Sequence, residues 1–354
     1  MTRSALVLQG GGALGAFEFG AARALYGHGI LPDVIAGVSI GAVTAVLLAR
    51  PANGDPLATL KAFWEQVTVQ GLLFPPFLRS YASFWGNPHF FDLRPEFFTS
   101  PSWLTWPTWT HFYDTTPLRD TLKRLIDLEK LKDLNAEPTL LVSATNIEKG
   151  EVEYFDSRHG GLCLDHIVAS GSLPPAFPMT KIGSDFFWDG GLFDNTPLGA
   201  VLDVLNTSSD LDRAIYVVNL FPNKGPIPHN LPGVAERMKN LQFANRTLED
   251  IKLLCRFNEV ARLMEALESL PEDDPVKGHE AYKLVKKRSY ITIPRIVSIS
   301  LPEPAPEFGD ADFSPDALRK REQQGYEQAI RQLKAPTQDP CSILDEPNKR
   351  RRNE

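Results

Sequence analysis

Gly10-Gly11-Gly12-Ala13-Leu14-Gly15, followed by Gly37-Val38-Ser39-Ile40-Gly41, is the pair of segments whose reading decides the fold. Each glycine cluster follows a short apolar run, residues 5–9 and 34–36, that reads as a buried strand. Each precedes a stretch with helical character, residues 16–26 and 40–49. Strand, glycine turn and helix, twice in succession, predict a parallel sheet covered by helices.

The first cluster satisfies G-x-G-x-x-G between a strand and a helix, the dinucleotide-binding fingerprint. That reading also requires an acidic residue at the end of the second strand, to hold the ribose. Ser39, set between glycines, occupies that place instead. The same glycines have a second use, because consecutive backbone N–H groups opening a helix form an anion-binding nest. Such a nest can hold the oxyanion of a tetrahedral intermediate, where one donor is worth on the order of 10²–10³ in rate. A third use is a tight turn that needs glycine only for its backbone.

The second cluster is G-x-S-x-G, the nucleophile elbow, in the strand-to-helix context that motif requires. A plain helix cap would explain Ser39 but neither flanking glycine. A serine hydroxyl needs an adjacent base, and seven histidines invite a Ser-His-Asp triad first. His229 lies in a Pro-rich stretch and His279 in a charged one, and neither follows a strand; His159 and His166 precede the acid of interest. The other partner is Asp189 in Phe187-Trp188-Asp189-Gly190-Gly191, an aspartate after an aromatic run and before two glycines. Taken by themselves, those last three residues make an ordinary hairpin turn.

Together with Ser170-Gly171-Ser172-Leu173-Pro174-Pro175-Ala176-Phe177-Pro178 and Asn195-Thr196-Pro197, these segments resemble the patatin-like phospholipase family, over residues 5–222. The resemblance implies a three-layer α/β/α fold with a mainly parallel central sheet. It implies a Ser-Asp dyad, with Ser39 as nucleophile, Asp189 as base, and an oxyanion hole at Gly10, Gly11 and Gly12 whose donors are the amides of Gly11 and Gly12. The Ser172–Pro178 segment would wall the site. The substrate would be a lipid or phospholipid acyl ester, with no cofactor. Many relatives carry a basic residue in the glycine loop where this chain has Ala13-Leu14, a departure that removes an anchor for a lipid phosphate. The last third, with Arg295-Ile296-Val297-Ser298-Ile299 and Phe313-Ser314-Pro315, is similar to an extension of unknown role on some bacterial members.

The rest of the chain sets the frame. Its 354 residues suffice for a large core. We read residues 1–225 as the catalytic domain, 226–335 as a helical extension with one added strand, and 336–354 as a disordered polar tail. Between residues 72 and 113 Phe, Trp and Pro crowd together, as in Trp103-Leu104-Thr105-Trp106-Pro107-Thr108-Trp109, and the prolines forbid long regular elements. Buried, these aromatics would line an acyl pocket or pack as a lid; exposed, they would suit a bilayer interface. Helices are expected at 117–128, 234–267 and 315–333, and strands at 139–145, 151–155, 215–220 and 295–299. The stripe Leu241, Phe243, Leu248, Ile251, Leu254 and Phe257 reads as core-facing.

A net charge of -7 offers nothing to a phosphate backbone, which argues against nucleic acid. No apolar run approaches the roughly 20 residues that cross a bilayer, so membrane contact is expected only from the surface. Cys163, Cys255 and Cys341 are widely separated, which suits a reducing, cytoplasmic setting. No acidic or histidine cluster has metal-ligand spacing. Two other function classes stay open at this level: a dinucleotide-dependent oxidoreductase resting on the glycine loop, and a non-catalytic lipid-binding scaffold. An acyltransferase would use the same dyad.

Overall fold

The computed structural model describes residues 2–71, 82–99, 106–205, 212–287 and 292–335. Strand β1 (Thr2–Leu8) runs into a 3-10 turn at Gly12–Gly15 and helix α1 (Ala16–Gly27). Strand β2 (Val34–Gly37) leads to α2 (Ile40–Ala49), and α3 (Pro56–Gln66) follows, started by Pro56 and by the Asp55 carboxylate, which caps the Ala58 amide. Among the described residues of the proline-rich region the elements are short: β3 (Asp92–Leu93), α4 (Glu96–Thr99), a 3-10 turn at Trp106–Thr108 and β4 (Tyr113–Asp114), the two strands pairing antiparallel. The expected pocket segment at 72–81 and 100–105, and the expected tail at 336–354, lie outside the described residues.

The helix expected at 117–128 is two helices, α5 (Thr116–Leu125) and α6 (Leu128–Lys132). Ile126 is extended, and the Asp127 side chain accepts from the amides of Glu129 and Lys130, so a new helix starts where periodicity alone would continue the old one. Then come β5 (Thr139–Asn146), β6 (Glu151–Asp156), α7 (Leu164–Ser170), β7 (Thr180–Ile182), β8 (Asp185–Asp189), α8 (Leu198–Leu205) and β9 (Asp212–Asn219). The last part comprises α9 (Leu231–Glu268), α10 (Pro275–Gly278), α11 (Glu280–Lys287), β10 (Arg295–Ser300) and α12 (Pro315–Lys334).

The sheet order is β10-β9-β1-β2-β5-β8-β7, with β6 also on β5. The five strands from β10 to β5 are parallel, and β6, β7 and β8 pair antiparallel. Alternate residues serve two cores: Leu6, Leu8, Ile35, Val142 and Val218 face one side with α1 and α2, whereas Ala5, Val7, Ala36, Ile215 and Val217 face the other with α8 and α9. This is the three-layer α/β/α arrangement. The C-terminal segment shares it, since β10 extends the sheet beside β9 and Phe313, Leu318 and Ala329 join the core of α1 and α2. Helix α12 lies so close on α1 that a Cβ at Gly325 would stand 1.9 Å from the Phe17 carbonyl oxygen.

Along α9 the expected core stripe holds in part. Ile251 and Leu254 are buried, Phe243 and Phe257 half-buried, and Leu241 is exposed. The Leu248 side chain lies outside what is described.

Helix α2, buried at every position, ends on Arg50, whose guanidinium is fully buried and donates to the carbonyls of Ala49, Lys130, Ala136 and Pro138. It satisfies carbonyls at the C-terminal end of the helix and binds them to the segment that leads into β5. Replacing Arg50 by Ala leaves four carbonyls short of a donor, that of Ala49 buried and the other three part-buried. Its denaturant midpoint should fall by the equivalent of about 3 kcal/mol; a change under about 0.5 kcal/mol would show that these bonds carry no weight.

Candidate active site

Ser39 stands between β2 and α2 with φ 55° and ψ -123°, a left-handed conformation that is costly for a residue with a side chain. The turn is possible because the residues two places away on either side, Gly37 and Gly41, lack a Cβ. One at Gly37 would stand 2.1 Å from the Gly41 carbonyl oxygen, and one at Gly41 would stand 2.5 Å from that of Leu8. The Ser39 amide donates to the Ser170 hydroxyl at the end of α7, 2.9 Å away. Held in this way, the Ser39 side chain stays partly exposed at the start of α2.

Strand pairing brings Asp189 to it. Thr139–Val142 of β5 pair with β2, and beyond the end of β2 the residues Ala144–Asn146 pair with β8, while β6 covers Leu141–Asn146. One edge of β5 is taken by β6, so β8 must continue the edge that β2 vacates. Running antiparallel, β8 ends on Asp189, opposite Ala144, against the elbow. The main chain of Asp189 is fixed at both groups: its amide donates to the Ser172 carbonyl at 3.0 Å and its carbonyl accepts from the Thr145 hydroxyl at 2.9 Å.

The Asp189 carboxyl is 2% exposed and its pKa is pushed up to about 7. Desolvation by burial is the main cause, opposed by hydrogen bonds from the Ser39 hydroxyl and the Gly191 amide, the latter at 2.7 Å. A serine hydroxyl therefore meets a carboxylate whose proton affinity lies near neutrality.

The glycine loop joins this pair through Asn195. Its side-chain oxygen accepts from the Gly10 amide at 3.1 Å and its side-chain nitrogen donates to the Gly10 carbonyl at 3.2 Å. Gln9 adds a second tie: its side chain donates to the Thr196 hydroxyl and accepts from the Leu220 amide. The Gly10 amide is thereby occupied, whereas the amides of Gly11 and Gly12, the donors expected from the resemblance, point elsewhere. Their N–H groups meet no acceptor among the described residues.

Gly10, Gly11, Gly12, Ser39 and Asp189 all line one cavity of about 210 Å³. Its walls are apolar: Ile40 and Val43 of α2, Phe90 and Phe91 of the proline-rich region, and Leu173 and Phe177 of the Ser172–Pro178 segment. Phe91 packs on Tyr113 and Phe177, with ring centroids 4.9 and 5.5 Å apart. The buried aromatics of residues 72–113 thus line the cavity, whereas Trp85 and Phe98 lie exposed. None of the seven histidines lines it. Among the described residues no group of three His, Cys, Asp or Glu is placed to hold a metal ion.

Sequence reasoning missed several parts. Asn195 and Ser170 stood in quoted segments without a role, and their spacing could have drawn attention to them. Lys239, Phe243, Asp310 and Phe313 also line the cavity, from the C-terminal segment, and no local motif marks them.

A family model described as patatin-like phospholipase matches residues 6–202, and one described as patatin phospholipase matches residues 241–341. A patatin-like phospholipase domain-containing protein of Aspergillus oryzae is 49% identical over 53 residues, 15% of this chain and 7% of that protein. Similar solved structures include VipD from Legionella pneumophila, with 16% identity, a TM-score of 0.45, and cover of 94% of this chain and 66% of that one. Another is ExoU with SpcU from Pseudomonas aeruginosa, with 16% identity, a TM-score of 0.29, and cover of 97% and 76%.

The raised pKa of Asp189 has a stability consequence with a definite sign. The folded state holds this proton up to pH about 7, whereas an unfolded aspartate loses it near its ordinary value of 3.8, so the folded form is favoured at low pH and loses that advantage as pH rises from about 4 to 7. Asp189→Asn removes the charge penalty and should melt at or above the wild-type temperature at pH 8, the difference shrinking towards pH 4. A lower melting temperature for the variant at pH 8 would contradict this account.

Proposed function

We propose that this chain, which belongs to the patatin-like phospholipase family, is a lipid acyl hydrolase working by a Ser39–Asp189 dyad. The observation that carries the reading is the meeting of a strained, partly exposed serine with a buried carboxyl of pKa about 7, in one apolar cavity beside two free backbone donors.

The chemistry follows from the geometry. Asp189 takes the Ser39 proton as the hydroxyl oxygen attacks the ester carbon. The amides of Gly11 and Gly12 receive the negative oxygen of the tetrahedral intermediate, with the start of α2 adding partial positive charge. Collapse expels the alcohol, which leaves with the proton held on Asp189. Water then attacks the acyl-serine, passes its proton to Asp189, and the second collapse returns that proton to Ser39. The acyl chain lies along Ile40, Val43, Phe90, Phe91 and Phe177, the apolar part of the cavity.

An oxidoreductase reading has less to support it. The place of a ribose-binding acid holds Ser39, the Gly10 amide is committed to Asn195, and the cavity before the loop is walled by phenylalanines. No helix among the described residues is long and apolar enough to cross a membrane. We place the protein in the cytoplasm, where its separated cysteines stay reduced and where it meets lipid from one surface.

Hydrolysis of a medium-chain p-nitrophenyl ester tests the dyad. Ser39→Ala and Asp189→Asn should each lower kcat/KM at least about a thousandfold while retaining the fold, and full activity in either variant would sink the proposal. In the wild type, kcat/KM should fall tenfold per unit as pH drops below about 7, since only the ionised carboxylate accepts the proton. A rate flat from pH 5 to 8 would rule Asp189 out as the base.

A further inference from the structure

The lining of the cavity includes an ion cluster from the C-terminal segment. Lys239 of α9 donates to the carboxylates of Asp310 and Glu236, each at 2.8 Å. Lys239 and Asp310 both line the catalytic cavity, and Lys239 is the cation among its described lining residues. Asp310 also touches the glycine loop: a Cβ at Gly12 would stand 2.4 Å from the Asp310 carbonyl oxygen. Its turn is fixed by the buried Arg321, which donates to the carbonyls of Gly309, Asp312 and Ala13. Lys239 and Asp310, with Glu236 behind Lys239, are therefore held at a set place beside the oxyanion donors.

From this juxtaposition we infer that Lys239 and Asp310 select the head group, Lys239 taking the phosphate and Asp310 the positive group of a zwitterionic phospholipid. The inference rests on the reading of Ser39 and Asp189 as the acyl-transfer pair.

Three features support it. The pair is accessible, with about a quarter of each side chain exposed (26% and 29%), so a ligand can insert between the two groups. The positive charge is durable: burial pushes the Lys239 amine down, yet Asp310 and Glu236 outweigh it and hold its pKa above the ordinary lysine value. The placement also suits a phospholipid, whose phosphorus lies a few bonds from its ester carbon, because Asp310 meets Lys239 through its carboxylate and Gly12 through its carbonyl oxygen. When a zwitterion enters, its phosphate joins Glu236 on Lys239 and its positive group takes the Asp310 carboxylate that Lys239 gives up. An anionic head group sets its own charge against Asp310, and a neutral lipid engages neither residue.

The test measures kcat/KM in neutral-detergent mixed micelles on three lipids of identical acyl chains: phosphatidylcholine, phosphatidylglycerol and diacylglycerol. Wild type, Lys239→Gln, Asp310→Asn and Ser39→Ala are compared, with folding followed by circular dichroism. For Lys239→Gln, the ratio of phosphatidylcholine to diacylglycerol turnover should fall about tenfold, the worth of one charge-assisted hydrogen bond. For Asp310→Asn, the ratio of phosphatidylcholine to phosphatidylglycerol turnover should fall by a similar factor. Proportional loss on all three lipids, which a purely structural latch would give, or unchanged ratios, overturns the head-group assignment. Ser39→Ala reads the other claim: if it keeps turning over all three lipids, the dyad itself is wrong.

Discussion

The shortness of β2 is the constraint on which the site depends. Four residues of β2 pair with Thr139–Val142, and the chain then turns at Ser39, leaving the rest of that edge of β5 open. Strand β8 fills the gap and arrives head-on, so that a residue distant in sequence ends against the elbow. A longer β2 would carry Ser39 past this point and deny β8 its partner. The parallel half of the sheet presents Ser39 and the antiparallel half presents Asp189.

Two costs are held in this junction. Ser39 keeps a backbone conformation worth on the order of 1–3 kcal/mol of strain, and Asp189 gives up its hydration. Both persist because the surroundings over-determine them. The Ser39 amide is tied to Ser170, the Asp189 main chain to Ser172 and Thr145, and the glycine loop to Asn195 at both of its polar atoms. Behind them α2 is wholly buried and anchored at its end by Arg50. The rigidity is spent on geometry at the reacting atoms, where pre-set donors act without reorganising.

The local parts of this design were legible in the sequence. Glycine spacing after apolar runs marked β1, β2 and the turns that follow, and the bounds of α2 and the late strand at 295–300 lay close to expectation. Where reading stopped, the information was tertiary. Asp189-Gly190-Gly191 looked like a hairpin turn because nothing local says that β8 continues the edge left by β2. The break at Ile126 was hidden because Asp127 caps a helix inside an unbroken apolar rhythm. The tie between the Gly10 amide and Asn195 could not be read because the two lie 185 residues apart. The wall formed by Lys239, Asp310 and Phe313 had no signal at all, since it depends on how β10 and α12 bring the C-terminal segment back over the glycine loop.

At the centre is the claim that Asp189 activates Ser39. The most direct measurement is the rate of Ser39 modification by a fluorophosphonate, followed by intact mass and peptide mapping across pH. The account predicts one adduct, on Ser39, forming at a rate that rises with ionisation of a group of pKa about 7 and that collapses in Asp189→Asn. An adduct on another residue, or a Ser39 rate indifferent to both pH and the loss of Asp189, would contradict it.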